Sequence, residues 1–589
     1  MTDKRMRRSG ATIRHGAGRL LVIAGALAAA WSALTILSGG FALHTGVIAL
    51  SSRDPLRPLI VAAILVAGGR RLLPGAEFGR AVALLTGDRT QLPARIAGAV
   101  AIAVLIFSIA WNTRAAGGSD SSCYVLQAEA FAHGRIALTD PLSRIIPGAT
   151  PALFVPTGFV PSRIAPFDAV PICGPGLALA MAAASVAGRD AVFLVVPICA
   201  ALAVWLTYVL GRRLDDGVTG VCAAGLIATS PIFLYQSVQP MSDVPAAALW
   251  LAALAFVSRR DRAGQIAAGV SASLAVLVRP NLALIVLPLV VLLPDRRAWL
   301  RFVLAAAPGL AALAWLNAAR YGSPLVSGYG STDVLFAFAH VRSNLARYPF
   351  WVLETETPFI AAAALAPWWA HHHRPHAQFV LVALAASALA LATYLLYTVF
   401  NDWWYIRFLL PVLPVVIVLS VAVLLDFGRG RPALRAGMAI AGCAILGGWR
   451  LHVAHTHHVF DLQTFESRFV VTGRYASGAL PTNAVVLAVE ESGSVRFHGG
   501  RATVAWDAIA PGGLDATLDR LRGAGRAAFI VLEDAEEPRF RARFSSQRFG
   551  ALDWPPHAEI NAPVRVRVYD PAERERYLGG GAVATEHVR

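Results

Sequence analysis

Long apolar runs recur along the chain between Leu20 and Trp449, and most are roughly 15 to 22 residues long, about the length that a helix needs to cross a bilayer. Hydrophobic residues make up 56% of the 589 residues and charged residues only 15%, which leaves more apolar surface than one soluble core can bury. Beyond Arg450 the pattern becomes that of a soluble chain. The sequence therefore predicts an α-helical polytopic membrane protein with roughly 11 to 13 transmembrane helices.

The formal net charge of +16 comes from arginines that cluster in short loops between the apolar runs. This distribution is typical of membrane topology, so we expect no nucleic-acid partner. With these loops in the cytoplasm, residues 1–94 form an N-terminal cytoplasmic segment with extra membrane helices, and residues 95–450 form the main membrane domain. Its external loops are residues 114–190 and 317–358. We therefore expect a multi-pass protein of the inner (plasma) membrane, in contact with membrane lipid.

Three segments need separate interpretation. The basic N-terminus, Lys4 to Arg14, precedes an apolar stretch at residues 20–37 that is either a signal peptide or, as we prefer, a signal anchor. Residues 177–186 are apolar but too short to span, so we expect a helix lying at the outer face or re-entering it. From about residue 461, short β-rich runs alternate with a helical stretch, which predicts a small extracytoplasmic α/β domain over residues 461–589.

The predicted topology puts three polar patches at the same outward face: Asp120, Asp243, and Asp402 with Arg407. A carboxylate that stays ionised near the interface can accept a proton from an attacking hydroxyl. An arginine offers a fork of donors that matches phosphate oxygens, and Arg407 follows aromatic residues of the kind that favour the interface, at Trp403 to Tyr405. These positions predict an outward-facing site.

Each candidate also has a plainer interpretation. Asp120 could be an ordinary loop residue, Asp243 could cap the helix that begins beside it, and Arg407 could anchor its span by snorkelling. Glu354 and Glu356 could contact a ligand, but we expect an exposed loop there.

Metal-binding patterns are weak throughout the sequence. His371 to His373 are predicted to form a solvated cytoplasmic loop and not a metal site. The five cysteines show no pattern typical of zinc. Cys123 and Cys173 could form a disulfide if both face the oxidising side of the membrane, and the sequence leaves this open.

The order of four motifs resembles the GT-C superfamily of glycosyltransferases. The motifs are Asp120 with Tyr124 and Gly134, then Pro231 with Asp243 and Pro245, then residues 317–329 ending at Tyr329, then Arg407 to Pro411. The similarity extends over roughly residues 96–425. It lies in the branch of protein O-mannosyltransferases, lipid A aminoarabinose transferase and Rgt-like bacterial transferases.

This resemblance implies inverting transfer of a sugar from a polyprenyl-phosphate donor to a hydroxyl of a glycan, lipid or protein at the outer face of the cytoplasmic membrane. It implies Asp120 as the catalytic base, with Tyr124, Asp243, Tyr329 and Arg407 binding substrate. Many members have two adjacent acidic residues in the first loop, whereas Ser119 and Ser121 flank Asp120 here. We therefore predict no metal ligand and no firm cofactor, and a divalent metal is doubtful.

Two other kinds of protein are compatible with a polytopic chain. One is a transporter or flippase for a lipid-linked substrate, and the other is a non-catalytic assembly protein for lipid-linked glycans. Transporters often show repeated halves and charges at mid-membrane, and the sequence shows neither.

Overall fold

The computed structural model of the protein describes residues 91–144, 150–165, 167–259, 261–330, 335–372 and 376–588, and nearer the N-terminus residues 41–45, 48–52, 54, 56–74 and scattered positions between 18 and 35. The chain forms two compact units, residues 1–103 and residues 104–589. The basic cluster from Lys4 to Arg14 lies outside the described residues, and the predicted anchor at residues 20–37 is described only at scattered positions.

The first unit contains a β-hairpin and a helix. Strands β1 (Phe41–Thr45) and β2 (Ile48–Ser52) pair antiparallel. Helix α1 (Leu56–Leu72) contains a short apolar run at residues 58–67. The Asp54 carboxylate accepts a hydrogen bond from the backbone N–H of Leu56 at the start of this helix, and arginines occupy its last turn, where the helix dipole favours cations.

The remaining helices follow in chain order: α2 (Leu92–Ala110), α3 (Ser119–Ala132), α4 (Pro175–Ala184), α5 (Val195–Leu214), α6 (Gly217–Ala228), α7 (Pro231–Ser237), α8 (Asp243–Val257), α9 (Arg262–Val278), α10 (Ala283–Val286), α11 (Arg296–Tyr321), α12 (Val341–Glu356), α13 (Ala366–His372), α14 (Ala377–Leu395), α15 (Leu413–Asp426), α16 (Pro432–Thr456), α17 (Leu462–Phe465), α18 (Ser467–Ala479), α19 (Ser492–Phe497), α20 (Leu514–Gly523), α21 (Glu537–Arg543) and α22 (Pro571–Leu578).

Several of these helices are long and apolar enough to cross a membrane. Within the described residues there are five such segments: Leu92–Ala110, Arg189–Leu214, Arg296–Tyr321, Ala377–Leu395 and Pro432–Thr456. Two bent pairs raise the number to seven if each pair is one span: α6 with α7, and the 3₁₀ helix Trp403–Leu409 with α15. The chain is thus a multi-pass membrane protein, and the total of 11 to 13 helices stays a prediction.

The bent spans are interrupted where the backbone cannot continue its hydrogen-bond ladder. Helices α6 and α7 meet at an angle of 65° across Thr229 and Ser230, and Pro231 begins α7. The 3₁₀ helix Trp403–Leu409 and α15 meet at 82°, with a proline in the first turn of α15. Proline lacks the N–H that a helix interior needs, so each break frees backbone carbonyl groups.

The structure has the helix predicted at residues 177–186, and it has more helix than predicted at residues 317–358. Residues 177–186 lie in α4 and the 3₁₀ turn Ser185–Ala187, a short apolar helical stretch consistent with a segment that does not span alone. The expected loop at residues 317–358 includes the end of α11 and all of α12. Glu356 ends α12 with its side chain completely buried, so the prediction of an exposed loop there was wrong.

Residues 138–171 form a small antiparallel sheet in the order β3–β5–β4, from strands β3 (Leu138–Thr139), β4 (Phe159–Pro161) and β5 (Asp168–Pro171). A second sheet lies in the C-terminal part of the chain. Its strands are β6 (Val485–Leu487), β7 (Ala502–Val504), β8 (Ala528–Glu533), β9 (Ala558–Ile560), β10 (Val566–Tyr569) and β11 (Glu586–Val588).

The C-terminal sheet has the order β11–β9–β10–β8–β6–β7. Strand β6 pairs in parallel with β7 and β8, and β10 pairs antiparallel with β8 and β9. Short β-rich runs and a helical stretch were predicted beyond about residue 461, and strands such as β6, β8 and β10 and helix α20 lie there. An extracytoplasmic position for this region stays a prediction.

This sheet packs against the first predicted external loop. One face of it shares a core with Leu142, Leu153 and Phe154, and the backbone N–H of Ala505 donates to the Leu153 carbonyl at 2.8 Å. The backbone N–H of Gly118, just before α3, donates to the Glu490 carbonyl at 3.4 Å. The start of α3, which carries Asp120, is therefore held by the C-terminal region.

Candidate active site

A cavity of about 700 Å³ lies among the membrane helices, a size typical of small-molecule sites. Its walls come from α3, the turn after β5, α7, the start of α8, the break after α9, the end of α11 and the 3₁₀ helix Trp403–Leu409. The structure brings all five predicted site residues into its lining: Asp120, Tyr124, Asp243, Tyr329 and Arg407. Residues far apart in sequence thus share one chamber.

Asp120 and Arg407 form an ion pair in the cavity wall. Arg407 Nη2 donates to Asp120 Oδ2 at 2.7 Å, and the side chains are 12% and 29% exposed, respectively. Asp120 lies in the first turn of α3, where the helix dipole favours a negative charge. Arg407 Nε is buried without a hydrogen-bond partner among the described residues. A side chain held in this way is not the snorkelling anchor considered from the sequence.

A second ion pair, between Asp243 and Arg279, lies in the same wall. Arg279 Nη1 donates to Asp243 Oδ1 at 2.7 Å, and the Asp243 side chain is 1% exposed. Ser242 occupies the N-cap position of α8 and no side-chain cap bond forms, so the interpretation of Asp243 as a helix cap was wrong. The carboxylate instead neutralises a buried guanidinium.

Sequence reasoning missed Arg279 as a site residue. It lies between Val278 and Pro280, where its extended backbone ends α9. The signal was present, because Arg279 is an isolated charge within a long apolar stretch, and such charges within membrane segments tend to be functional. Its guanidinium carbon lies 5.3 Å from the ring centroid of Phe408, and that of Arg407 lies at the same distance. The two arginines therefore flank one aromatic ring.

The two predicted tyrosines differ in their surroundings. Tyr124 is buried one helical turn after Asp120, and burial, with the nearby Asp120 charge, raises the pKa of its hydroxyl. Tyr329 is more exposed and lies in the segment after α11. This segment is held close to β5, because the Tyr321 hydroxyl donates to the Pro171 carbonyl and a Cβ at Gly328 would overlap the Ile172 backbone.

Stacked aromatic rings form another part of the wall. The rings of Tyr235 and Trp404 lie 6.1 Å apart and nearly parallel, and those of Phe400 and Tyr405 are 3.7 Å apart. Phe408 stacks on Tyr394 at 4.7 Å. The cavity thus combines two ion pairs with a broad apolar surface.

A disulfide between Cys123 and Cys173, which the sequence left open, is present in the structure with a Cα–Cα distance of 6.2 Å. It joins α3, between Asp120 and Tyr124, to the turn before α4. The Ser122 hydroxyl reinforces this region by contacting the carbonyls of Gly118 and Thr157 at 2.6 and 2.5 Å. The position of Asp120 therefore depends on a covalent link as well as on packing.

Other polar residues noted in the sequence do not join the cavity. Asp402 is exposed and is not part of the lining. His371 and His372 end α13 and are exposed, while His373 lies outside the described residues. Among the residues that the structure describes, no group of three or more His, Cys, Asp or Glu side chains is arranged to hold a metal ion.

Glu356 forms a buried ion pair away from the lining. Its Oε2 lies 2.6 Å from Nη2 of Arg450, and both side chains are 0% exposed. Its other oxygen accepts a hydrogen bond from the Ser230 hydroxyl, and Arg450 donates to the Leu226 carbonyl at 2.6 Å. These contacts satisfy polar groups at the break between α6 and α7. These contacts therefore stabilise the start of helix α7, which contributes to the cavity wall.

We compared the sequence and the structure with those of known proteins. Residues 171–318 match the model of the dolichyl-phosphate-mannose-protein mannosyltransferase family. No curated protein sequence compared with the chain matches it. Among solved structures, ArnT from Cupriavidus metallidurans bound to undecaprenyl phosphate is similar with a TM-score of 0.52 at 13% identity, covering 81% of this chain and 97% of ArnT. Its apo form has a TM-score of 0.51 at 13% identity, with 80% and 96% covered.

The oligosaccharyltransferase of Archaeoglobus fulgidus is less similar, with a TM-score of 0.45 at 13% identity, covering 78% of this chain and 71% of that one. The match to ArnT extends over most of both chains, and the family match covers the segment that contains Asp243 and Arg279. The chain therefore has the GT-C fold of membrane glycosyltransferases, as its motifs predicted.

Proposed function

We propose that the protein is an inverting glycosyltransferase that moves a sugar from a polyprenyl-phosphate donor to an acceptor hydroxyl in this cavity. The observation that carries the proposal is the convergence of Asp120, Arg407, Asp243 and Arg279 beside an aromatic wall. A donor of this class has an anionic phosphate, a polar sugar and an apolar chain. The cavity offers matching chemistry for each part.

The arginines suit the phosphate. Two guanidinium groups beside Phe408 would repel each other, and each is balanced by an aspartate in the structure. Arg407 keeps a buried Nε–H without a partner among the described residues, and guanidinium forks match phosphate oxygens. When the bond between sugar C1 and the phosphate oxygen breaks, the leaving phosphate gains a negative charge. Both arginines would stabilise that charge in the transition state.

Asp120 suits the role of general base. As the acceptor oxygen forms its bond to C1, its proton must leave, and a carboxylate beside the reacting atoms can take it. Only Oδ2 of Asp120 is bonded to Arg407 in the structure. Movement of Arg407 towards the donor phosphate would weaken this bond and make the carboxylate a stronger base. Donor binding and base activation would then be linked through one ion pair.

The aromatic wall suits the lipid. Rings such as those of Tyr235, Trp404 and Tyr405 favour the interface between water and hydrocarbon, where an isoprenoid phosphate lies. ArnT, which shares the fold, was solved with undecaprenyl phosphate, and we infer the same class of lipid here. On this proposal the cavity opens to the outer face of the plasma membrane, with the C-terminal sheet also outside.

The test is transfer by purified protein in detergent. Undecaprenyl phosphate carrying radiolabelled hexoses or pentoses would be supplied together with envelope lipids, glycans and proteins as acceptors. We expect Asp120→Asn to lower turnover by roughly 10²-fold or more while donor binding changes little. Asp402→Asn is the matched control, because Asp402 is exposed and lies outside the cavity lining.

Two outcomes would contradict the proposal. An Asp120→Asn variant that turns over like wild type would remove Asp120 from the mechanism. Movement of an intact lipid-linked sugar across the membrane without formation of a new glycosidic bond would indicate a flippase.

A further inference from the structure

Gln236 has unusual surroundings for a buried polar side chain. It lies near the end of α7, contributes to the cavity wall and is 1% exposed. Neither its Oε1 nor its Nε2 has a hydrogen-bond partner among the described residues. Buried amides are nearly always paired, because loss of water without a replacement partner costs free energy. A buried amide in a cavity wall is therefore suited to a partner that arrives with a ligand.

Other amides of the wall are already engaged. Gln239 donates to the Tyr235 carbonyl at 3.0 Å, Asn281 donates to the Tyr394 hydroxyl, and Asn317 donates to the Pro324 carbonyl at 3.1 Å. These bonds fix the orientation of each side chain. Gln236 has both its donor and its acceptor available, which sets it apart from them.

The chemistry of an amide limits what it can bind. Its nitrogen donates and its oxygen accepts, so its best partner is a group that does both. A phosphate oxygen only accepts, and Arg279 and Arg407 already serve that role in the proposed function. An isoprenoid chain does neither. Hydroxyl groups of a sugar both donate and accept, and adjacent hydroxyls can bind one amide at two atoms.

The local structure holds this amide in place. Pro231 and the N-cap Ser230 start α7, and the hydroxyl of Ser230 is bonded to the buried Glu356. Tyr235, next to Gln236, stacks on Trp404. Because contacts anchor the short helix, the backbone that carries Gln236 is held in position, and preorganised polar groups give specificity at a low entropic cost.

We propose that Gln236 recognises hydroxyl groups of the sugar carried by the lipid donor and so acts as a specificity residue of the transferase. This inference rests on the proposed function, and it adds that the sugar is bound through uncharged hydroxyl groups beside α7.

The test compares two lipids. Binding of undecaprenyl phosphate alone, and of the sugar-bearing undecaprenyl phosphate that wild type turns over fastest, is measured for wild type, Gln236→Leu and Gln236→Glu. We expect Gln236→Leu to bind the sugar-bearing donor about tenfold more weakly and the sugar-free lipid equally well. The Gln236→Glu side chain can only accept hydrogen bonds when ionised. We therefore expect its affinity for the sugar-bearing donor to lie between those of wild type and Gln236→Leu. Gln378→Leu is the matched control, because Gln378 is exposed on α14 and outside the lining.

Unchanged binding of the sugar-free lipid also shows that the variant is folded. Equal weakening for both lipids would overturn the inference, since Gln236 would then only shape the cavity. A rise in KM for the acceptor with donor binding unchanged would overturn it too, because the recognised hydroxyls would belong to the acceptor. If wild type neither binds these lipids nor transfers sugar, the proposed function fails. If wild type is active and Gln236→Leu matches it, only the present inference fails.

Discussion

Asp120 and Arg407 are separated by 287 positions in the sequence, and a hydrogen bond of 2.7 Å joins their side chains in the cavity wall. Asp120 lies in the first turn of α3, and Arg407 lies in the 3₁₀ helix before α15. The pair places a potential base and a potential phosphate ligand in direct contact. Any anionic ligand that attracts Arg407 must therefore compete with Asp120.

Replacing Arg407 should weaken both donor binding and turnover, because the phosphate is charged in the ground state and gains charge in the transition state. We expect Arg407→Gln to lose most activity and Arg407→Lys to recover only part of it, since an ammonium cannot reproduce the guanidinium fork. Donor binding and single-turnover rates in detergent measure the two effects. Arg347→Lys is the control, as Arg347 contacts Asn401 outside the cavity lining. Full activity of Arg407→Lys would contradict the proposal that the guanidinium fork binds the phosphate.

Loss of the Cys123–Cys173 disulfide should lower both stability and activity. The bond closes a sequence separation of 50 residues, and a disulfide typically stabilises a fold by about 2–4 kcal/mol. It also holds α3 near its contact with Arg407. We expect a lower Tm and slower turnover for the double variant Cys123→Ser with Cys173→Ser. Cys199→Ser, which removes a free cysteine, is the control. Equal Tm values for the double variant and wild type would argue against a structural role.

Glu356→Gln should destabilise the protein far more than Glu354→Gln. Glu356 and Arg450 are both fully buried, so neutralising the glutamate leaves a buried guanidinium without its counter-charge, at a cost of about 3–5 kcal/mol. Glu354, two positions earlier, is 36% exposed and pairs with His457 at 3.3 Å. Thermal unfolding in one detergent compares the two variants. Similar Tm values would mean that the buried pair contributes little.

Stability should fall as the pH rises from about 4.5 to 7 and above, because of two buried glutamates beside the C-terminal sheet, Glu491 just before α19 and Glu536 just before α21. Burial raises the pKa of Glu536 from 4.5 to about 7, and it raises the pKa of Glu491, which also faces Glu533 and Arg468. Below the pKa that these glutamates have in the unfolded chain, they are protonated in both the folded and the unfolded state. Their contribution to the free energy of unfolding is then at its maximum. At higher pH the unfolded state ionises first, so the free energy of unfolding falls until the folded groups ionise as well.

The measurement is Tm against pH for wild type, Glu491→Gln and Glu536→Gln. The glutamine in each variant cannot ionise, so we expect Tm to fall less steeply with pH than it does in wild type. Glu575→Gln is the control, because the Glu575 side chain is 70% exposed. A wild-type Tm that rises between pH 5 and 8 would contradict the direction of the effect.

The sequence predicted which residues share the cavity better than it predicted how they pair with one another. Arginine-rich loops and apolar runs were enough to bring Asp120, Asp243 and Arg407 together, since topology follows from loop charge. The pairing of Asp243 with Arg279 could not be predicted in the same way. Helix α8 is apolar and buried around most of its surface, so its pattern of residues does not indicate which neighbour its polar residue meets.

The buried pair of Glu356 and Arg450 was missed for a related reason. An acidic residue in a segment between apolar runs resembles a solvated loop, and only the packing of α12 against α16 shows that its partner is 94 positions away. In the C-terminal region, the positions of β6, β8 and β10 followed from their β-rich composition. The place of β6 between β7 and β8 did not, because strand order depends on long-range crossovers.

The shared core of the first loop and the C-terminal sheet has a consequence for protein engineering. Leu142, Leu153 and Phe154 complete one face of the sheet, and Arg496 reaches back to Asp140 with an ion pair of 2.7 Å. A chimera that exchanged only the chain beyond residue 461 would join a foreign sheet to a loop shaped for this one. The mismatch would disturb the contact at Gly118, where the C-terminal region holds the start of the helix that carries Asp120. Grafting the sheet thus requires grafting the loop with it.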